Sequence, residues 1–478
     1  MKYIKSNWYE WMSEDNVLWW PNRYLYSENI DVLSNSNYIQ LYNKPTKAIY
    51  TLKNVNNQLS IINRITNAST VLAFCDDWQV YSEDEWDTAV YDNSSLGNLE
   101  YPVFTLWDYV YFVNNTWPTS AFKLNRLTIA NAFSATWTPT LAYKDLATDN
   151  YFEYSGVVIS WPRAYIWLGN KISVFNSWNN TVSEYSLSQE EIAWITYMSW
   201  YFRVYTENWN LYLWDWDSKL ITEQINLWLN IERVKQVSNI DYVMTWELWE
   251  ESGLYIVNWY TLTPLFREKN SSQISKWKFK FEKWAQTSIW NHFDNILLIN
   301  EVWNWNTVID IYGNGIQGLP KWYTNLMSLC STWKKIDTLK SVIVFWWYAY
   351  IWFSDIDWQN GVDKIYLRNT WTKQTSWEIV TNINDMQTWI DKKSLQQLFF
   401  RVWDITATQY IEVYTSIDWW TYTLKHTVNT QPKDNIVRLP LVWDFRDISI
   451  KFKFYTNSST SPKIYNWYVL KYEQSEPI

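Results

Sequence analysis

The sequence predicts an all-β protein, a six- or seven-bladed β-propeller followed by a C-terminal β-sandwich. Three observations lead there. Helical periodicity is nearly absent. Short runs rich in Val, Ile, Tyr, Phe, Leu and Thr, bounded by Asn, Asp, Ser, Gly or Trp, extend from Tyr38 to Tyr472. One aromatic-rich strand motif recurs along most of the chain.

Residues 1–37 read as an extended N-terminal arm, because they carry no sustained alternation. Residues 38–385 read as the propeller. The recurring motif is a turn residue, a few polar positions and an aromatic strand that ends in another turn. It appears in TVLAFCDDWQVY around Leu72, LWDYVYFVNN around Tyr109, PRAYIWLGNKISVF around Tyr165 and SWYFRVYTENWNLYLWD around Phe202. It continues in SNIDYVMTWE around Tyr242, HFDNILLINEV around Ile296 and WWYAYIWFSDID around Tyr348. The anchors lie roughly 37 to 56 residues apart, the span of a blade of four short strands with variable loops. A twisted four-stranded sheet has two apolar faces and cannot stand alone, so blades stack radially until the ring closes. Two short stretches carry helical signals, SQEEIAW ending at Trp194 and NDMQTWIDKKSLQQL ending at Leu398.

Residues 395–478 read as the sandwich, with strands longer and more cleanly alternating. In ISIKFKFYT, Ile448, Ile450, Phe452 and Phe454 fall on one face and Ser449, Lys451 and Lys453 on the other, so one face packs and one is wet.

The chain has 478 residues, enough for two or three domains, and a net charge of −9 from 49 acidic and 40 basic side chains without long runs. That balance argues against a phosphate-gripping, sequence-specific nucleic-acid binder. No segment approaches the roughly 18 apolar residues of a membrane span, and the start lacks the apolar core of a secretory signal. The expectation is a soluble protein that is not exported by the general secretory route. Cys75 and Cys330 are too few for a disulfide framework or a thiolate metal site, and read as buried thiols.

The composition holds 40 Trp against 8 Gly, where ordinary chains carry about 7% Gly and far less Trp. Many of these Trp occupy places where turn chemistry asks for a positive φ: Asp77-Trp78, Asn208-Trp209, Asn258-Trp259 and Asp418-Trp419-Trp420. Read as Gly, they become Asn-Gly and Asp-Gly hairpins. The expectation is that UGA codons meaning glycine, in an uncultured bacterial lineage or its phage, stand here as tryptophan, while some, such as Trp137, are genuine. The competing reading is a truly Trp-rich protein with an aromatic binding surface.

Chemistry-bearing patterns are sparse. His292 and His426 are the only histidines, and they fall in different predicted domains. Triads, two-His zinc sites and imidazole relays all need a histidine beside partner groups. No HExxH, GxSxG or P-loop motif occurs, with or without Gly restored at Trp positions. Asp355, Asp357, Asn360 and Asp363 have the alternating oxygens of a calcium loop but lack its closing Glu. Asp215 and Asp217 read as a hairpin turn. No catalytic, cofactor or metal residue is assigned, no cofactor is expected, and the protein reads as a non-enzyme. The segment Ser416 to Thr423 resembles the Asp-box of sialidases if Trp420 is a glycine; in that family the box is a structural hairpin corner.

In layout the chain resembles the tail accessory, or packaged-DNA stabilisation, β-propellers of short-tailed phages. At the start, NRYLYSENIDVLSNSNYIQLYNKPTKAIYTL (Asn22 to Leu52) resembles an opening with an Asn-rich strand and a Leu-x-x-x-Pro turn into the first blade. At the end, YIEVYTSIDWWTYTLKH and the segment from Arg438 to Glu473 resemble a terminal sandwich in which an Asp-Gly hairpin precedes paired long strands. The resemblance implies a virion structural protein of the head-to-tail connector or tail hub. Such a protein is made in the host cytoplasm and acts as a homo-oligomeric ring around the DNA channel. It would contact a portal or adaptor ring and tail proteins, and the resemblance carries no active-site residues. The alternative is a glycan-binding propeller, a lectin or adhesin at a phage tip or cell surface, that holds sugars on aromatic shelves.

Overall fold

This computed structural model describes the strands given below and, between them, residues 43–45, 83, 102, 107–108, 129–132, 138–139, 146–148, 154, 161–162, 169–170, 177–180, 187, 189–191, 207–208, 227, 357, 373, 404–409, 421–422, 429–435 and 456–462. Side-chain burial is described for a part of these.

Six four-stranded antiparallel sheets follow one another in sequence, each in simple meander order. The first comprises Leu59–Asn63, Ser69–Phe74, Gln79–Ser82 and Ala89–Asp92. The second comprises Val103–Leu106, Tyr109–Thr116, Ala121–Thr128 and Thr140–Asp145, and the third Ser155–Ser160, Arg163–Leu168, Lys171–Asn176 and Thr181–Ser186. The fourth is Ile192–Met198, Tyr201–Thr206, Asn210–Asp215 and Leu220–Asn226. The fifth is Ile231–Val237, Ile240–Thr245, Gly253–Asn258 and Thr261–Arg267, and the sixth Ile289–His292, Asn295–Val302, Asn306–Asn314 and Pro320–Met327. The seventh departs from the rule. Its strands Ile336–Phe345, Tyr348–Asp355 and Asn360–Tyr366 are completed by Thr46–Thr51, from the other end of the chain.

The first strands of successive sheets touch in turn from the third to the seventh, and from the seventh to the first and second. The second and third sheets share a core that includes Phe104, Tyr111, Val113, Ala164, Ile166 and Phe175. The contacts form a closed ring, so the propeller has seven blades. All seven sequence anchors, from Leu72 to Tyr348, lie on the second strand of a blade. The reason is visible at Arg163–Leu168, where every residue from Ala164 to Leu168 is buried. A second strand is covered on both faces by neighbouring blades, so it reads as a continuous apolar run rather than as alternation.

The closing strand is packed as well as hydrogen-bonded. Ala48 and Ile49 join Val71, Ala73 and Tyr81 of the first blade and Tyr350, Trp352 and Val362 of the seventh in one core. Lys364 of the seventh blade reaches Glu83 beside the first at 2.6 Å. A Cβ on Gly361 would lie 3.3 Å from the Ile49 carbonyl oxygen, so glycine there admits the close approach of the closing strand.

Two further sheets enclose the remaining core. One orders Ile30–Asp31, Tyr38–Leu41, Lys463–Gln474, Lys393–Trp403 and Ile436–Phe445, with Lys2–Asn7 also paired to Lys463–Gln474. The other orders Tyr24–Ser27, Ser376–Thr381, Ile448–Tyr455, Tyr410–Ile417 and Thr423–Val428. Phe400 from the first sheet meets Phe452 from the second edge-on at 5.1 Å. Ile448, Ile450, Phe452 and Phe454 are all buried in this core, as their alternation predicts. Ser449 is buried too, with its hydroxyl satisfied by the Tyr422 hydroxyl at 2.8 Å. Tyr242 of the fifth blade joins the same core, which ties the sandwich to the ring.

Three expectations need correction. Residues 1–37 are not simply an extended arm: Lys2–Asn7, Tyr24–Ser27 and Ile30–Asp31 are strands of the sandwich. Tyr38–Leu41 and Ser376–Thr381, assigned to the propeller at residues 38–385, belong to the sandwich as well, so it draws on both ends of the chain and not on 395–478 alone. Short strands that pair with distant partners carry no local mark of that partner, which is why the boundaries were misplaced. The described parts of the two helical stretches are not helical, while Ser188 and residues 384–392 lie outside the described residues. Ile192–Met198 and Lys393–Trp403 are strands, and the helix described is the single turn Ile129–Ala132. A helix this short is marginal against its nucleation cost, and pairing with Tyr201–Thr206 or with Ile436–Phe445 and Lys463–Gln474 prevails.

Candidate binding surfaces

The residues singled out from sequence do not converge. His292 ends the first strand of the sixth blade, while His426 is exposed on Thr423–Val428 of the sandwich, opposite Val413. Asp355 and Asn360 flank the hairpin that contains the exposed Asp357, but Asp363 is fully buried farther along the strand. Asn360 and Asp363 are three apart on that strand and so face opposite sides of the sheet, which breaks the spacing of a calcium loop. Asp215 ends a strand opposite Leu220. Ser416 to Thr423 spans the hairpin between Tyr410–Ile417 and Thr423–Val428, a turn in the sandwich. Cys75, Asp77, Trp78, Trp137, Trp209, Asp217, Trp259, Cys330, Asp418, Trp419 and Trp420 lie outside the described residues. Among the described residues, no three His, Cys, Asp or Glu gather where they could hold a metal, and no helix is long and apolar enough to cross a membrane.

A buried polar cluster not anticipated from sequence lies between the fourth and fifth blades. Asp241 Oδ2 accepts hydrogen bonds from Thr196 Oγ1 at 2.7 Å, Arg203 Nη1 at 3.0 Å and Tyr205 Oη at 2.5 Å. Arg203 and Asp241 are 3% and 0% exposed, so each charge depends on the other. Thr196 and Arg203 are cross-strand partners in the fourth blade, while Asp241 stands on the second strand of the fifth. Three donors on one oxygen make the cluster a clasp between blades. Its sequence signal was available: Arg203 within YFRVY and Asp241 within IDYVM are charges inside apolar strands, and such charges must find partners.

Two aromatic surfaces face outward. On one end of the second and third blades, Trp107, Trp161 and Trp178 are 50%, 59% and 66% exposed. Trp161 lies 5.2 Å from Trp107 and 5.4 Å from Trp178, ring to ring, and the Trp107 indole N–H donates to Ser177 Oγ at 2.8 Å. All three sit in turns joining first to second or third to fourth strands, which emerge on the same side of a meander sheet. The second surface is the wet face of the five-stranded sheet. Tyr414 and Tyr455 both donate to Glu412 Oε2, at 2.7 and 2.8 Å. Tyr410 stacks on Tyr455 at 4.5 Å, and Lys451 lies over Tyr414 and Tyr422 while pairing with Glu378 at 3.3 Å. Tyr and Trp offer large rigid faces with a polar tip, the residue types enriched where proteins meet partners.

No family model matches the chain. No curated protein matches it either. Among solved structures, BamB from Moraxella catarrhalis is similar over 72% of this chain and 97% of its own, at 11% identity and a TM-score of 0.42. The β-propeller domain of Cps50 (Swd1) from Myceliophteria thermophila is similar over 68% of this chain and 100% of its own, at 9% identity and 0.43. The computationally designed Ika8 protein is similar over 70% of this chain and 96% of its own, at 8% identity and 0.38. The propeller assignment rests on the strand order and the closed ring of sheet contacts, not on these likenesses.

The tyrosines of these regions set a response to alkaline pH. Burial, reinforced by Tyr143 and opposed by Arg126, pushes Tyr111 up to about 12 from 10.0. Burial first, and the Asp241 charge second, hold Tyr205 well above the usual range. Burial also raises Tyr212, Tyr422 and Tyr472. Because these folded values exceed the unfolded one, the unfolded chain loses its protons first as pH rises. Their contribution to stability is complete below about pH 10 and is lost as pH climbs toward 12. Urea midpoints measured at stepped pH are expected to stay level up to about pH 9.5 and then fall, with Tyr111→Phe flattening part of the fall.

Proposed function

We propose that this chain is a structural protein of a phage virion, in the head-to-tail connector or tail hub, working through protein-protein contacts as a homo-oligomeric ring and without a catalytic centre. One observation carries the reading. Of the segments that resemble the short-tailed phage propellers, Asn22 to Leu52 and Arg438 to Glu473 pair in one sheet. Tyr38 pairs with Tyr465 and Ile39 with Ile464, while Thr46–Thr51 closes the ring. A propeller tied by one end of its chain, with a sandwich built from both ends, makes a stiff scaffold. Its clustered buried charges at Asp241 and Arg203 hold blades together. The Tyr-Lys-Glu face of the sandwich supplies a surface for a neighbouring subunit or a tail protein, and ring symmetry makes such lateral contacts heterologous.

Electron microscopy of the purified protein, with antibody labelling of virions, tests this directly. Rings and label at the neck or tail are expected. A strictly monomeric protein that is absent from particles would contradict the proposal.

The Trp107, Trp161 and Trp178 patch favours a second reading, a glycan-binding propeller at a phage tip, because indole faces stack on sugars. Binding on a glycan array that is abolished by Trp161→Ala would support it. A blank array would remove it.

A further inference from the structure

Tyrosine and tryptophan sort to different places in this fold. Of the 36 Tyr, 29 lie within the described strands, whereas only ten of the 40 Trp do. Both side chains are aromatic and both favour strands, so aromatic chemistry does not account for the difference. Trp here is distributed as a turn residue is.

The hairpins show which turn residue. In the third blade, the loop between the second and third strands is Gly169-Asn170, and Gly169 has φ of 65°. The same connection in the first blade contains Asp77-Trp78, in the fourth Asn208-Trp209 and in the seventh Asp357-Trp358. In the fifth blade, Trp259 immediately follows Asn258, the last residue of the third strand. Asp-Gly and Asn-Gly are the pairs that tight hairpins select, because glycine alone enters the left-handed region without a Cβ clash.

Trp107 supplies the conformational evidence. It is the first of two loop residues between the paired Leu106 and Tyr109, and its φ is 54°. That position belongs to glycine in two-residue hairpins, and a bulky side chain there is strained. The strain brings only partial burial in return, since the indole is half exposed.

We propose that Trp78, Trp107, Trp209, Trp259 and Trp358 are glycines in the native protein, encoded by UGA codons that the producing cell reads as glycine. The native chain would then have Gly at each of these hairpins. It would also present a less aromatic surface beside Trp161 and Trp178.

Peptide mapping by mass spectrometry, on protein purified from the particles or cells that make it, tests the assignment. The peptides spanning these five positions are expected to be lighter by a tryptophan-to-glycine difference each, and the gene to carry UGA at all five. Tryptophan masses at those positions, or UGG codons, would overturn the proposal. A second arm compares recombinant chains. The version with all five positions changed to Gly is expected to melt higher and stay monodisperse, and an unchanged or lower melting point counts against the proposal. Its failure would leave the virion reading standing and would strengthen the glycan reading, so the two outcomes are separable.

Discussion

Replacing Asp241 by Ala is expected to destabilise the protein by about 3–5 kcal/mol, the range for removing one member of a buried ion pair. The loss comes mainly from what remains. Arg203, 3% exposed, would keep its charge and lose the carboxylate that pairs with it. Thr196 and Tyr205 would lose their acceptor in the same step. Thr196→Val removes one neutral donor and is expected to cost only about 1 kcal/mol. The double change Arg203→Met with Asp241→Leu fills the same space without charge, and it is expected to be milder than either single change. Chemical denaturation of these three variants and the parent reads the comparison. An Asp241→Ala chain as stable as the parent would mean that the fourth and fifth blades are not clasped here.

The second large effect is expected at the seam. Ile49→Asp should cost more than about 4 kcal/mol, because it buries an unpaired carboxylate and removes an apolar contact in one step. Ile49 is 1% exposed and packs in one cluster with residues of the first and seventh blades. Loss of that strand would leave the Asn360–Tyr366 edge unpaired, so the variant is expected to aggregate as well as unfold more readily. Limited proteolysis should then cut first near the opened seam. A variant that resists protease as the parent does would show that closure is independent of this strand.

The sequence revealed the blades well because each second strand is a continuous buried run, and such runs survive variation in loop length. Tyr165 and Tyr350 illustrate this, since AYIWL and AYIWF read alike and occupy equivalent strands. The sandwich face at Ile448 to Phe454 was legible for the opposite reason, a period of two with one side wet. Closure was not legible. Thr46–Thr51 carries an ordinary strand pattern, and its partner Asn360–Tyr366 lies more than 300 residues away, beyond the reach of local periodicity. The clasp was half legible: Arg203 and Asp241 announce themselves as charges in apolar strands, but only the fold brings them to 3.0 Å. The exposed Trp of the hairpins could be seen as anomalous from composition. That Trp107 sits at a positive φ needed coordinates.

The N-terminal strand Thr46–Thr51 closes the ring, and an engineered disulfide measures that directly. Thr46 and Lys364 are cross-strand partners, and Thr46 Oγ1 donates to the Lys364 carbonyl at 3.2 Å. Antiparallel partners have Cα atoms about 4.5–5.5 Å apart, within the range a disulfide spans. With Cys75→Ser and Cys330→Ser in the background, Thr46→Cys and Lys364→Cys are expected to oxidise to a single intramolecular bond in the folded protein, seen as faster migration on a non-reducing gel. Two thiols that stay free in a folded chain would contradict the closed seven-bladed ring.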